Sequence, residues 1–253
     1  MKLVAALLAF ASLTAAFDAA HGAEVQVAVA ANFVGPMKLL AANFESASGH
    51  KVVMTAGATG KFYAQIRAGA PFDVFLSADD ETPERLDRDS ATVPGSRFTY
   101  AVGKLVLWSP RPDYVDGNGD VLRRNQFAHL AVAAPKLAPY GAAAVETLGK
   151  LGLLATLEPK FVQGESIGQT FSFVASGNAE LGFVALSQVL EDGKLKSGSA
   201  WVVPAQLHRP IRQDAVILSA GRDNPAATAL MAYLRSVPAQ QLIRAFGYDL
   251  PGS

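Results

Sequence analysis

The sequence predicts an α/β protein of two lobes, each a mainly parallel sheet flanked by helices, with two crossing strands as the hinge. Three observations predict this. Short apolar, β-branched runs alternate with segments of helical periodicity along the whole chain. Four times such a run gives way to a turn of small, hydroxyl or amide residues at which a helix starts: Ala30-Ala31-Asn32, Ala58-Thr59-Gly60, Pro139-Tyr140-Gly141 and Ser166-Ile167-Gly168. Finally, a length of 253 residues exceeds one ordinary sheet domain, yet no Pro/Gly-rich linker divides it.

The strand-like runs are Val25–Ala30, Val52–Thr55, Val74–Leu76, Leu105–Trp108, Leu130–Ala133, Phe161–Gln163, Leu181–Ala185, Trp201–Pro204 and Ala215–Leu218. Most are short, apolar and bounded by turn residues, as buried parallel strands are. Between them, Met37, Leu40, Ala41 and Phe44 keep helical spacing behind Pro36, a proline suited to a first turn. Tyr63 to Ile66, Ala142 to Leu151 and Gln169 to Ala175 carry further helices, and Gly177 reads as a C-terminal stop. Asn224-Pro225 caps a helix with Leu230, Met231 and Leu234 inward, and a last helix holds Leu242, Ile243 and Phe246. The crossings are expected within Arg97–Trp108 and Gln206–Leu218. That makes the first lobe discontinuous, residues 24–102 and 208–253, with residues 103–207 as the second, and puts a ligand in the cleft at the strand C-termini.

Composition narrows the function. The chain is 50% hydrophobic with zero formal net charge, which excludes a disordered chain and the basic stripe a nucleic-acid partner needs. Lys2 followed by the apolar run Leu3–Phe17 and the small residues around Gly22 and Ala23 reads as an export segment, residues 1–23. The run is too short to span a bilayer, so no membrane insertion is expected, and the mature chain is expected in the periplasm. With no Cys, thiol chemistry and Cys-based metal sites are excluded. His50, His129 and His208 stand far apart, and Asp79-Asp80-Glu81 reads as a helix start, so no direct cation ligands and no cofactor are expected.

The chemistry therefore falls on the four turns, none of which carries Lys, Arg, Asp or Glu at its tip. Each aims backbone N–H groups and the positive end of a helix dipole at what sits above it. Converging, they make a pocket of donors without formal charge, suited to a fully deprotonated oxyanion that only accepts hydrogen bonds. Asn32 caps and offers an amide; Thr59 offers a hydroxyl that can rotate to donate; Tyr140 offers a phenol at a helix start. Ile167 can contribute only its backbone N–H, and Ala31, Ala58 and Ser166 complete the turns. Lys61 belongs to a solvated helix face. A rival lies in Gly164-Glu165-Ser166-Ile167-Gly168, which fits the nucleophile-elbow pattern of a serine hydrolase, with Asp192 or Asp214 as acid and His208 as base. That reading leaves the other three turns without a purpose.

With these residues placed, the chain resembles the periplasmic molybdate-binding proteins of ABC importers. The stretches that carry the likeness are Val27 to Phe33, Thr59 to Ile66, Gly69 to Asp79, Pro139-Tyr140-Gly141 and Leu181 to Val184, in that order over essentially the whole mature chain. The resemblance implies a two-lobed, monomeric binding protein without enzymatic activity. Such a protein holds molybdate or tungstate between its lobes and delivers it to an inner-membrane permease. Carried over by position, the contacts fall on Ala31-Asn32, Ala58-Thr59, Tyr140 and Ile167. Two departures stand out: Ala185 where many members have Tyr, and Asn32 where many have Ser. A receptor for sulfate or another tetrahedral oxyanion is the alternative within the same class.

Overall fold

The computed structural model describes residues 22–191 and 193–252. Most of the expected export segment, residues 1–21, lies outside the described residues, as does Asp192. In the first pass, β1 (Glu24–Ala30) runs through a 3₁₀ turn, Ala31–Phe33, into α1 (Val34–Ser48). β2 (Lys51–Gly57) is followed by α2 (Thr59–Arg67), β3 (Val74–Leu76) by α3 (Glu81–Arg88), and β4 (Phe98–Gly103) ends the pass. The chain then builds β5 (Leu105–Ser109), α4 (Val121–Arg124), β6 (Leu130–Ala133), α5 (Pro139–Lys150) and α6 (Leu154–Leu157). It continues with β7 (Phe161–Gly164), α7 (Ile167–Ala175), β8 (Leu181–Ala185), α8 (Leu186–Val189), the ribbon β9 (Leu190–Glu191) and β10 (Lys194–Leu195), and β11 (Ser199–Val202). It returns as β12 (Ile211–Ile217), α9 (Pro225–Leu234) and α10 (Val237–Ala245).

Two five-stranded sheets result, ordered β2-β1-β3-β12-β4 and β11-β5-β8-β6-β7. Each is mainly parallel with a single reversed strand: β12 pairs antiparallel with β3 and β4, and β5 antiparallel with β8 and β11. These are the first strands after each crossing, and the reversal has a geometric cause. Forward strands end at the cleft, so a chain arriving from the other lobe starts at the cleft and can only run away from it. The first crossing is the single residue Lys104 between β4 and β5; the second is the stretch between Val202 and Ile211.

The cores follow the apolar pattern. In the first lobe, Val25, Val27 and Val29 of β1 meet Leu40 and Phe44 of α1 and Leu230 and Met231 of α9. Ala28 faces the other way, toward Phe62, Phe75 and Leu86. In the second, Leu105, Leu107, Leu130, Val132 and Phe183 of the sheet pack on Leu148 of α5. Helix ends use the expected signals: Gly177 takes φ +79° just past α7, and the Asn224 side chain accepts the Ala226 N–H ahead of Pro225.

Besides the short ribbon β9–β10 and a two-residue offset of β11, two strand assignments differ from the sequence reading. β4 is a strand in its own right where a crossing was expected, and β12 begins at Ile211, four residues before the expected start. Both are masked by polar residues whose partners are distant in sequence. Thr99 and Arg97 bond the Asp214 carboxylate, and Gln213 and Asp214 are buried on either side of a register shift in β12. Hydropathy reads these residues as loop; tertiary pairing makes them a strand.

One close approach fixes the third turn. A Cβ at Gly141 would stand 2.1 Å from the Ala133 carbonyl oxygen at the end of β6. Gly141→Ala is expected to cost about 1–3 kcal/mol through this overlap. Urea unfolding that shows no loss would contradict the packing of α5 on β6.

Candidate functional site

The four turns meet in pairs across the cleft. The first and fourth are in contact: a Cβ at Gly168 would lie 3.1 Å from the Ala31 side chain. The second and third are joined by a hydrogen bond from the Gly60 N–H to the Leu137 carbonyl, 2.9 Å. Each turn opens a helix, α1 by way of the 3₁₀ turn and α2, α5 and α7 directly, whose leading N–H groups lack an i−4 acceptor. Asn32, Ala58, Thr59, Tyr140 and Ile167 are all buried, while Ala31 and Ser166 are half-buried.

Their side chains play different parts. The Thr59 hydroxyl accepts the Ala78 N–H at 3.1 Å, which leaves its own proton to donate. Ile167, the first residue of α7, presents its N–H next to the N-cap Ser166, whose Oγ accepts from the Gln169 N–H at 3.2 Å. Asn32 sits in a buried polar network. Its Nδ2 donates to Gln213 Oε1 (2.8 Å) and to the Tyr248 hydroxyl (3.0 Å), and its backbone carbonyl accepts from Ser187 and Tyr248, both 2.9 Å. The Tyr140 hydroxyl accepts from Gln213 Nε2 at 3.0 Å. The Tyr100 hydroxyl lies 2.8 Å from the Ser77 carbonyl and 3.0 Å from Gln213 Oε1. Asn32 Oδ1 is the one buried side-chain N or O atom without a hydrogen-bond partner among the described residues.

Gln213, Tyr248, Ser187 and Tyr100 are the functional neighbours that sequence reasoning missed. They lie on β12, after α10, on α8 and on β4, and Gln213 and Tyr248 stand 181 and 216 residues from Asn32. No local motif signals them. Gln213 stands in a polar run, Arg212-Gln213-Asp214, within β12. The network spans the lobes, because Tyr140 and Ser187 come from the second and the others from the first. It also needs glycine at the hinge: a Cβ at Gly103 would stand 2.1 Å from the Tyr140 hydroxyl oxygen.

Charge is kept at the edges. Lys61 reaches Glu165 across the cleft at 2.5 Å, with side chains 45% and 66% exposed, a pair worth at most about 1 kcal/mol in water. A groove of about 910 Å³ flanks the second and third turns, touching Thr59 and Pro139 and carrying Asp79, Glu81, Arg209 and Arg212 on its walls. Among the described residues no group of three or more His, Asp or Glu side chains could hold a metal ion, and no helix is long and apolar enough to cross a membrane.

The hydrolase partners are engaged elsewhere. Ser166 Oγ is an N-cap, His208 Nδ1 lies 2.7 Å from the Arg209 carbonyl oxygen, and Asp214 is paired with Arg97 at 2.8 Å. Asp192 lies outside the described residues. Ala185, the position where many members of the resembling family carry Tyr, is buried and donates its N–H to Gln188 Oε1 at 2.9 Å.

Comparison with known proteins agrees with this architecture. A family profile described as bacterial extracellular solute-binding protein matches residues 25–249. The molybdate-binding protein ModA of Azotobacter vinelandii is 62% identical over 232 residues, 92% of this chain and 92% of that one. ModA of Rhodobacter capsulatus is 52% identical over 233 residues, 92% of this chain and 90% of that one. Among solved structures, a periplasmic molybdate-binding protein of Azotobacter vinelandii superposes with a TM-score of 0.87 at 45% identity, covering 90% of this chain and 99% of that one.

The phenols give the network a pH signature. Burial pushes Tyr100 and Tyr140 well above the ordinary tyrosine value of 10, and burial raises Tyr248 to about 12. Below pH 10 these groups are protonated in both folded and unfolded chains. Above it the unfolded chain ionises first, so their contribution to stability is lost as pH climbs toward 12. Urea midpoints are expected to fall over pH 10–12, and Tyr248→Phe to lessen that fall. An equal slope in the variant would contradict the assignment.

Proposed function

The chain belongs to the bacterial extracellular solute-binding protein family, and from that premise we propose that it captures molybdate between its lobes in the periplasm and hands it to an inner-membrane ABC permease. The observation that supports this reading is the meeting of four uncharged turns, two from each lobe, in pairs across one cleft. Relatives alike over nine-tenths of the chain carry the name of molybdate-binding protein.

The binding logic follows from donors alone. Apart from Gly60 and Gly141, whose N–H groups donate to the Leu137 and Ala138 carbonyls, the N–H groups of the four turns and the Thr59 hydroxyl can only give hydrogens to a guest oxygen, and the positive ends of four helices face it. A deprotonated tetrahedral dianion accepts all of them. Monohydrogen phosphate brings a proton that meets no acceptor in the site, and a buried unpaired O–H is costly. Tungstate, with nearly the size and charge of molybdate, is expected to bind in the same way. Sulfate presents the same chemistry on a smaller frame, so its rejection rests on the spacing of the turns.

Closure belongs to the same reading. The lobes touch through Gly60 and Leu137, Asn32 and Ser187, and Tyr140 and Gln213, so the donors of both lobes face the guest together only when these contacts form. Opening about Lys104 and the stretch before Ile211 separates them. A dianion contacted by both lobes binds the closed form better and shifts the population toward it. The protein works in this account as a monomer, and only its closed form is recognised by the permease.

Calorimetric titration with molybdate, tungstate, sulfate and phosphate tests the proposal. The expected result is binding of the first two, far weaker binding of sulfate and none of phosphate. Sulfate binding as tight as molybdate binding would reassign the guest. Thr59→Val, which removes one hydroxyl donor to a charged oxygen, is expected to cost about 1.5–3 kcal/mol, roughly tenfold to a hundredfold in affinity. Unchanged affinity would remove Thr59 from the site. No group of the four turns titrates near neutrality, so affinity is expected to stay level from pH 6 to 9, and a steep change there would reveal an ionising contact.

A further inference from the structure

The single carboxamide of Gln213 lies between the two side chains singled out as polar donors on opposite lobes. One end is 2.8 Å from the Asn32 carboxamide and 3.0 Å from the Tyr100 hydroxyl; the other is 3.0 Å from the Tyr140 hydroxyl. A carboxamide's oxygen and nitrogen have the same shape, so this chain of hydrogen bonds has two polarities with identical atom positions.

In the first, Gln213 donates to Tyr140, which leaves the phenol proton for the neighbouring Tyr248 hydroxyl or for the guest. Asn32 must then spend its NH₂ on Gln213 and Tyr248, and its Oδ1 is left buried and unpartnered. The one Tyr100 proton must also serve both the Ser77 carbonyl and Gln213 Oε1. In the second, both carboxamides are turned over. Gln213 Nε2 donates to Asn32 Oδ1 and to Tyr100, while Tyr100 keeps its proton for Ser77. Tyr248 donates to Asn32 Oδ1, Ser187 supplies the Asn32 backbone carbonyl, and Tyr140 gives its proton to Gln213 Oε1. The Asn32 NH₂ then has no acceptor within the protein.

The consequence is an exclusion: with one carboxamide between them, the Tyr140 hydroxyl and the Asn32 side chain do not both donate to a guest. An acceptor-only anion decides between the two states. Seated in the cleft, it leaves the Asn32 Oδ1 of the first polarity unpaired, whereas in the second the freed NH₂ finds its acceptor in the anion, a charge-assisted bond that replaces the neutral one between the Tyr248 and Ser187 hydroxyls.

Resting on the oxyanion-receptor reading above, we propose that Gln213 is the positioning residue of this site. With the anion bound, its carboxamide and that of Asn32 take the second polarity. Asn32 donates its side-chain NH₂ to the anion, and Tyr140 contributes its backbone N–H from the first turn of α5 while its hydroxyl braces Gln213.

Nuclear magnetic resonance on the full chain saturated with molybdate, combined with calorimetric titration, tests this. Overhauser contacts from the Gln213 side-chain NH₂ are expected to the ring of Tyr100 and not to that of Tyr140. Gln213→Met, close in volume and without hydrogen-bonding ends, is expected to bind at least tenfold more weakly while both lobes stay folded by circular dichroism. A purely structural role for Gln213 would lower its melting temperature and leave both the contacts and the affinity of the folded chain alone. Contacts to Tyr140 in the saturated native chain, or unchanged affinity in a folded Gln213→Met, would overturn the assignment. The Overhauser measurement on the native chain stands even if Gln213→Met does not fold. A native chain indifferent to molybdate would fail the receptor reading itself and take this inference with it, a result distinct from a native chain that binds with its contacts on Tyr140.

Discussion

Everything at the cleft depends on one directional constraint: the chain changes lobes only at the cleft ends of its strands. β4 ends there and β5 begins there; β11 ends there and β12 begins there. The two incoming strands therefore run backwards within otherwise parallel sheets. Parallel strands need helical crossovers, and each forward strand that leaves the cleft does so through a turn into a helix N-terminus. Two sheets facing each other by these ends bring four such turns together without any one of them being unusual.

The same constraint separates fixed dipoles from mobile charges. Backbone N–H groups at a helix start are held by the helix itself, so little ordering remains when a guest arrives. Lys and Arg side chains would add charge at the cost of rotamer freedom, and their hydration would have to be lost. Here the cationic side chains stay outside, as in the exposed Lys61–Glu165 pair and the Arg209 and Arg212 walls of the neighbouring groove. What is buried behind the turns is a neutral polar network in which hydroxyls and carboxamides are matched to one another. Burial keeps its phenols protonated, so they stay hydrogen-bonding groups without charge.

The lobes are thus coupled in two ways. One is backbone to backbone, through Gly60 and Leu137, and depends on shape. The other runs through side chains, Tyr140 to Gln213 to Asn32 to Tyr248 to Ser187, and depends on the direction in which each donor points. Gly103, one residue before the crossing, leaves room for the Tyr140 hydroxyl, so hinge and network occupy the same place. A change in lobe angle then alters donor alignment directly.

The sequence by itself determined the α/β alternation, most strands to within a residue or two, the helix caps at Asn224 and Gly177, and the four turns with their uncharged tips. These are local matters: apolar runs, small turn residues and capping side chains act over a few positions, where the chain's own periodicity is the physical cause. Only the tertiary structure decided that β4 is a strand, that β12 starts at Ile211, which turns face each other, and that Gln213, Tyr248, Ser187 and Tyr100 stand behind Asn32. Those residues are polar, and a polar residue is buried only where a distant partner satisfies it, so their positions cannot be read from their neighbours in the chain. The donors belong to local sequence; their direction belongs to contacts made across 61 to 216 residues.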